Sequence, residues 1–85
     1  MIIAVDFDDT LRLSDGKPNI SLLKSLKESQ IMGNKVILHT TRTGKSLIDA
    51  VNWCTAHGLA LNGVHGGKPY ADFYIDDKAI NPFKG

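Results

Sequence analysis

The chain opens "MIIAVDFDDTLRLSDG" (residues 1–16), and its fold turns on how Ile2-Ile3-Ala4-Val5 runs straight into Asp6-Phe7-Asp8-Asp9. A short, continuous, β-branched run is the pattern of a strand covered on both faces. Such a strand normally leaves the core through a turn with one polar residue. This one leaves through three carboxylates within four positions, where like charges repel. Whatever offsets that repulsion bears on function.

Outward from this strand, apolar runs and helical stripes alternate. Leu11 to Pro18, with Ser14-Asp15-Gly16 and Pro18, reads as a turn or small hairpin. From about Ile20 to Met32, the positions Leu22, Leu23, Leu26 and Ile31 approximate one helical face, and Gly33 is placed to end the helix. Lys35-Val36-Ile37-Leu38 is a second apolar strand, finishing at His39-Thr40-Thr41. Leu47, Ile48, Val51 and Cys54 form a second helical stripe, closed by Gly58 after His57. Gly63-Val64 is a short third strand, and Phe73-Tyr74-Ile75 a fourth that also ends in paired acids, Asp76-Asp77. Strands alternating with helices predict an α/β fold with a parallel sheet and right-handed crossovers.

Composition narrows the class. Eighty-five residues predict a single domain, 1–85, near the lower limit for an unaided core. A net charge of +1 is not that of a dedicated polyanion binder. The lone cysteine, Cys54, has no internal partner, which points to a reducing, cytoplasmic setting. The N-terminal apolar run of five residues is too short for a signal peptide or a membrane span, so no membrane partner is expected.

In parallel sheets, function collects beyond the carboxyl ends of the strands. Strand one delivers Asp6, Asp8 and Asp9 there, strand two Thr40 and Thr41, strand four Asp76 and Asp77, and Lys68 lies on the loop entering strand four. Two carboxylates about 4 Å apart repel by about 4 kcal/mol at an effective dielectric near 20. A hard divalent cation removes that cost, and all-oxygen ligands select magnesium over zinc. Magnesium commonly completes its shell with phosphate oxygens and water. These residues therefore predict a magnesium-dependent phosphate site.

Asp6-Phe7-Asp8-Asp9-Thr10 resembles the first motif of the haloacid dehalogenase superfamily, Asp-x-Asp-x-Thr after an apolar strand. Val36 to Thr40 is similar to its second motif, Lys68-Pro69 to its third, and Tyr74-Ile75-Asp76-Asp77 to its fourth, in family order along nearly the whole chain. The ending "GKPYADFYIDDKAI" is similar to small capless members from bacteria and their phages. The resemblance implies a minimal Rossmann-like three-layer sandwich of about four parallel strands, order 3-2-1-4, without a cap domain. It implies phosphomonoester hydrolysis through an aspartyl-phosphate. Asp6 would be the nucleophile and Asp8 the general acid and base. Thr40 would hydrogen-bond a phosphoryl oxygen, and Lys68 would neutralise charge. Asp76 would bind Mg²⁺ together with Asp6 and the backbone carbonyl of Asp8. Asp77 is an alternative ligand, Thr10 a brace for the turn, and Thr41 and Arg42 candidate substrate contacts.

The substrate class expected is a phosphorylated compound of unspecified identity. The gap from Leu11 to Asn19 is too short for a cap, so the usual specificity module is missing. Nine residues after Asp76 leave no room for the helix and fifth strand that many relatives carry, which predicts an uncovered edge or face and a homo-oligomer. Alternatives are a phosphate- or metal-binding module of the same fold and a phosphatase acting on nucleic-acid ends. No basic stripe or aromatic platform indicates nucleic acid. Asp9 reads as solvated or capping, His39 as a strand histidine with a hydrogen-bond partner, His65 as surface, and Trp53 with Cys54 as packing. Thr43-Gly44-Lys45-Ser46 mimics the end of a P-loop, but that motif needs glycine five residues before Gly44, where His39 stands.

Overall fold

The N-terminal apolar run forms β1 (Ile2–Asp6), the middle strand of a five-stranded sheet ordered β3-β2-β1-β4-β5. The other elements are α1 (Ile20–Ile31), β2 (Lys35–His39), α2 (Gly44–Ala56), β3 (Gly63–His65), β4 (Phe73–Ile75) and β5 (Ile80–Pro82). A computed structural model describes residues 1–67, 69–77 and 80–82, the last three by their backbone. β1 pairs in parallel with β2 and β4, and β2 with β3, giving the expected parallel order 3-2-1-4.

β5 departs from expectation. It pairs antiparallel with β4, Ile75 opposite Ile80. The sequence reading expected no fifth strand, because nine residues cannot hold a helical crossover of a dozen or more residues and a further parallel strand. An antiparallel neighbour needs only a short return.

Alternation along the strands sorts the core. Val5, Val36 and Leu38 point to the face that receives Leu23 and Leu26 of α1 and Ala50 and Cys54 of α2, with Phe7, Leu11 and Leu59 completing the cluster. Both helices thus cover one face. The opposite face carries Ile2, Ala4 and, beside Ala4 on β4, Tyr74, and Ala71 of the β3–β4 connection packs against them where a helical third layer would lie. The Tyr74 hydroxyl ties this layer by donating to the Pro69 carbonyl. Each large apolar side chain fully buried in the main cluster contributes about 1.5–3 kcal/mol.

Two assignments to the helical stripes are corrected. Ile31 is 84% exposed and Ile48 59% exposed. Ile31 lies five residues beyond Leu26, rotated about 140° from it at 3.6 residues per turn. In α2 the residues packed into the core are Ala50, Val51, Trp53 and Cys54, with Leu47 partly buried one turn before them and small Ala50 in the place expected for Ile48. Asn19 caps α1 by accepting the Leu22 N–H at 3.3 Å. Among the described residues, no helix is long and apolar enough to cross a membrane.

Candidate functional site

β1, β2 and β4 run parallel, so their carboxyl ends open on one edge of the sheet. Past Asp6 the chain turns sharply. The Phe7 carbonyl accepts the N–H groups of Thr10, Leu11 and Arg12 at 3.3, 3.1 and 3.1 Å. Asp9 adopts φ +61°, a conformation that Asp and Asn tolerate better than most residues. Phe7, 1% exposed, anchors this turn in the core, with Asp6 and Asp8 on either side of it left partly exposed. The buried Thr10 hydroxyl reaches the Asp8 carbonyl only at 3.5 Å, long for such a bond, so that carbonyl stays available to another partner.

Asp6 and Asp8 have opposite surroundings. Burial pushes the Asp6 carboxyl above the usual carboxylate range; the Phe7 N–H and His39 oppose this, while Asp8 and Asp77 add to it. The Phe7 N–H donates to Asp6 Oδ1 at 2.9 Å, and Oδ2 has no hydrogen-bond partner among the described residues. Asp8 is gripped by a fork from Arg42, Nε to Oδ2 at 3.0 Å and Nη2 to Oδ1 at 2.7 Å. That fork holds the Asp8 carboxyl below the usual range against a smaller burial effect, with Arg12 adding to the lowering. Arg42 is itself held in place, its Nη1 donating to Ser46 Oγ at 3.1 Å and its guanidinium 4.9 Å from the Phe7 ring centre.

Thr40, 3% exposed, continues from β2. Its backbone N–H donates to the His65 carbonyl at 3.1 Å. Its hydroxyl oxygen accepts the Arg42 N–H at 3.1 Å, which leaves the hydroxyl hydrogen to donate elsewhere. Thr41 is exposed, and its side chain has no partner among the described residues. Asp76, partly buried, opens the β4–β5 connection, and the neighbouring exposed Asp77 acts on Asp6 through its charge. Lys68 lies outside the described residues.

The edge thus brings together Asp6, Asp8, Thr40 and Arg42, within the field of Asp77. No group of three or more His, Cys, Asp or Glu among the described residues is arranged to hold a metal ion. The oxygen donors on this edge are the Asp6 carboxylate and the Asp8 carbonyl, the Asp8 carboxylate being occupied by Arg42, and Asp76 stands at the end of β4. Few protein ligands, all hard, with water and phosphate completing the shell, suit magnesium.

His39, read from the sequence as a strand histidine with a hydrogen-bond partner, has one: it pairs in register with Asp6 and places Nδ1 2.8 Å from the Gly67 carbonyl, so Nδ1 carries the proton, whereas the sequence reading did not single out Arg12. Period-two alternation in β2 puts His39 opposite to Leu38, and that signal was available. Arg12 lies 5.6 Å from the Phe7 ring centre and acts on Asp8; no spacing rule marks it.

No family model matches the chain, and no curated protein matches it. Its fold is similar to that of a conserved protein from Bacteroides thetaiotaomicron, with a TM-score of 0.81 and 29% identity over 100% of this chain and 82% of that one.

Proposed function

We propose that this chain is a magnesium-dependent phosphomonoester hydrolase acting through an aspartyl-phosphate, a capless member of the haloacid dehalogenase superfamily. The observation that supports the assignment is the placement of Asp6, Asp8 and Thr40 together at or just past the carboxyl ends of the parallel strands β1 and β2. Asp6 has one oxygen oriented by the Phe7 N–H and the other without a hydrogen-bond partner among the described residues, as an in-line nucleophile requires. Asp8 sits two residues on, with both its oxygens accepting from Arg42.

Asp6 Oδ2 would attack phosphorus while the ester oxygen leaves with a proton from Asp8. Water would then attack the acyl-phosphate, giving its proton back to Asp8 and releasing phosphate and free Asp6. For Asp8 to carry that first proton, the Arg42 fork must first release one of the Asp8 oxygens. The Thr40 hydroxyl hydrogen would donate to a phosphoryl oxygen. Asp6, Asp76 and the Asp8 carbonyl would hold Mg²⁺, which supplies charge neutralisation and orientation of the phosphoryl group.

The Arg42 fork also favours a second reading, a phosphate-binding module without turnover, because it keeps Asp8 ionised in the ligand-free state. The test is a panel of sugar phosphates, nucleotides and 3′- or 5′-phosphorylated oligonucleotides, with magnesium and with chelator. Hydrolysis that requires magnesium and disappears in Asp6→Asn is expected. Turnover by purified Asp6→Asn would remove the mechanism, and binding without hydrolysis would favour the module.

A further inference from the structure

Arg12 and Arg42 hold their guanidinium carbons 5.6 and 4.9 Å from the centre of the same buried ring, Phe7, and both act on the Asp8 carboxylate. Their situations differ. Arg42 is committed, bonded twice to Asp8 and again to Ser46. Arg12 is partly buried, and its guanidinium has no hydrogen-bond or ion-pair partner among the described residues. It is nonetheless held: its backbone N–H bonds the Phe7 carbonyl at 3.1 Å, and Arg12 bridges Asp8 on one side and Pro18 on the other. A guanidinium on a braced backbone, resting on an aromatic face with no partner for its donors among the described residues, is organised to receive an oxyanion.

Its position relative to Asp8 says which part of a substrate it meets. If Asp8 protonates the leaving oxygen, groups beside Asp8 face the alcohol moiety and not the transferred phosphoryl group. Resting on the hydrolase assignment above, we infer that Arg12 is a specificity residue. It binds a second oxyanion, carboxylate or phosphate, carried on the alcohol part of the phosphomonoester. An open, capless site gains selectivity from such a contact without a lid.

The experiment uses matched pairs that share an ester carbon: 3-phosphoglycerate against glycerol 3-phosphate for a carboxylate, and glucose 1,6-bisphosphate against glucose 6-phosphate for a phosphate. Binding is measured by calorimetry in millimolar magnesium on full-length Asp6→Asn, with Arg12 intact or changed to Gln or Lys; thermal transitions check that each variant is folded. With Arg12 intact, the oxyanion-bearing member of at least one pair is expected to bind about tenfold or more tighter, the scale of a charge-assisted bond. The ratio should fall toward one in Arg12→Gln and lie between the two in Arg12→Lys. A ratio near one with Arg12 intact, or a ratio unchanged by Arg12→Gln, overturns the inference. Turnover of the same four compounds by wild type separates the two ideas. A binding preference without hydrolysis of these compounds or of any in the wider panel keeps the anion subsite and sinks the phosphatase, whereas hydrolysis without preference does the reverse.

Discussion

The Asp8–Arg42 fork gives the site a measurable energy of its own. Its two bonds, 2.7 and 3.0 Å, bring opposite charges to a separation of about 4 Å, worth about 4 kcal/mol at an effective dielectric near 20 and about 1 kcal/mol in water. Both side chains are partly exposed, so solvent and lost rotamer freedom pull the net toward the lower figure. Bidentate geometry and the stacking of Arg42 on Phe7 keep it near the top of the surface range, about 1 kcal/mol. A double-mutant cycle isolates that coupling: wild type, Asp8→Asn, Arg42→Gln and the pair, unfolded by urea or heat in chelator. In a chain of this size about 1 kcal/mol shifts the melting temperature by about 4–8 °C. Folding lowers the Asp8 pKa, so the coupling is complete above the ordinary carboxylate value of 3.8 and is lost as pH falls through the lower folded value. A coupling indistinguishable from zero at neutral pH and low salt would mean that the fork does not persist in solution, and the control of Asp8 by Arg42 goes with it.

Asp6→Asn should act in the opposite direction, because burial and the neighbouring acids disfavour its charge while asparagine still accepts the Phe7 N–H. Metal-free stability is expected to rise by up to about 1 kcal/mol, and added magnesium should stabilise the variant less than wild type; equal magnesium shifts in chelator-controlled melts would refute the ligand role. Cys54, fully buried with its thiol pushed up to about 11, should resist an aromatic disulfide reagent at pH 8 until the protein is unfolded, and stoichiometric reaction of native protein would contradict its placement. Asp9→Gly should match or exceed wild-type stability and Asp9→Ala should lose about 1 kcal/mol, since φ +61° strains a residue with Cβ and no local hydrogen-bonding group; equal melts for both would show the turn to be otherwise shaped.

By itself, the sequence determined what local periodicity encodes. Unbroken β-branched runs marked β1 and β2, and the spacing of Leu23 and Leu26 and of Leu47, Val51 and Cys54 marked the inward sides of two helices. Alternation of these elements imposes parallel strands, and parallel strands place Asp6, Thr40 and Asp76 on one edge before any contact is known. Tertiary structure decided which groups meet there. Arg42 reaches Asp8 across 34 residues of chain, and His39 lines up with Asp6 through strand register, neither of which a local pattern specifies. It also decided that both helices share one face, that Ile31 and Ile48 stay in solvent, and that β5 joins antiparallel. Each of these outcomes depends on which surfaces the rest of the chain brings alongside: a single hydrophobic stripe or acidic residue records only its own preference, and its partner is set by packing.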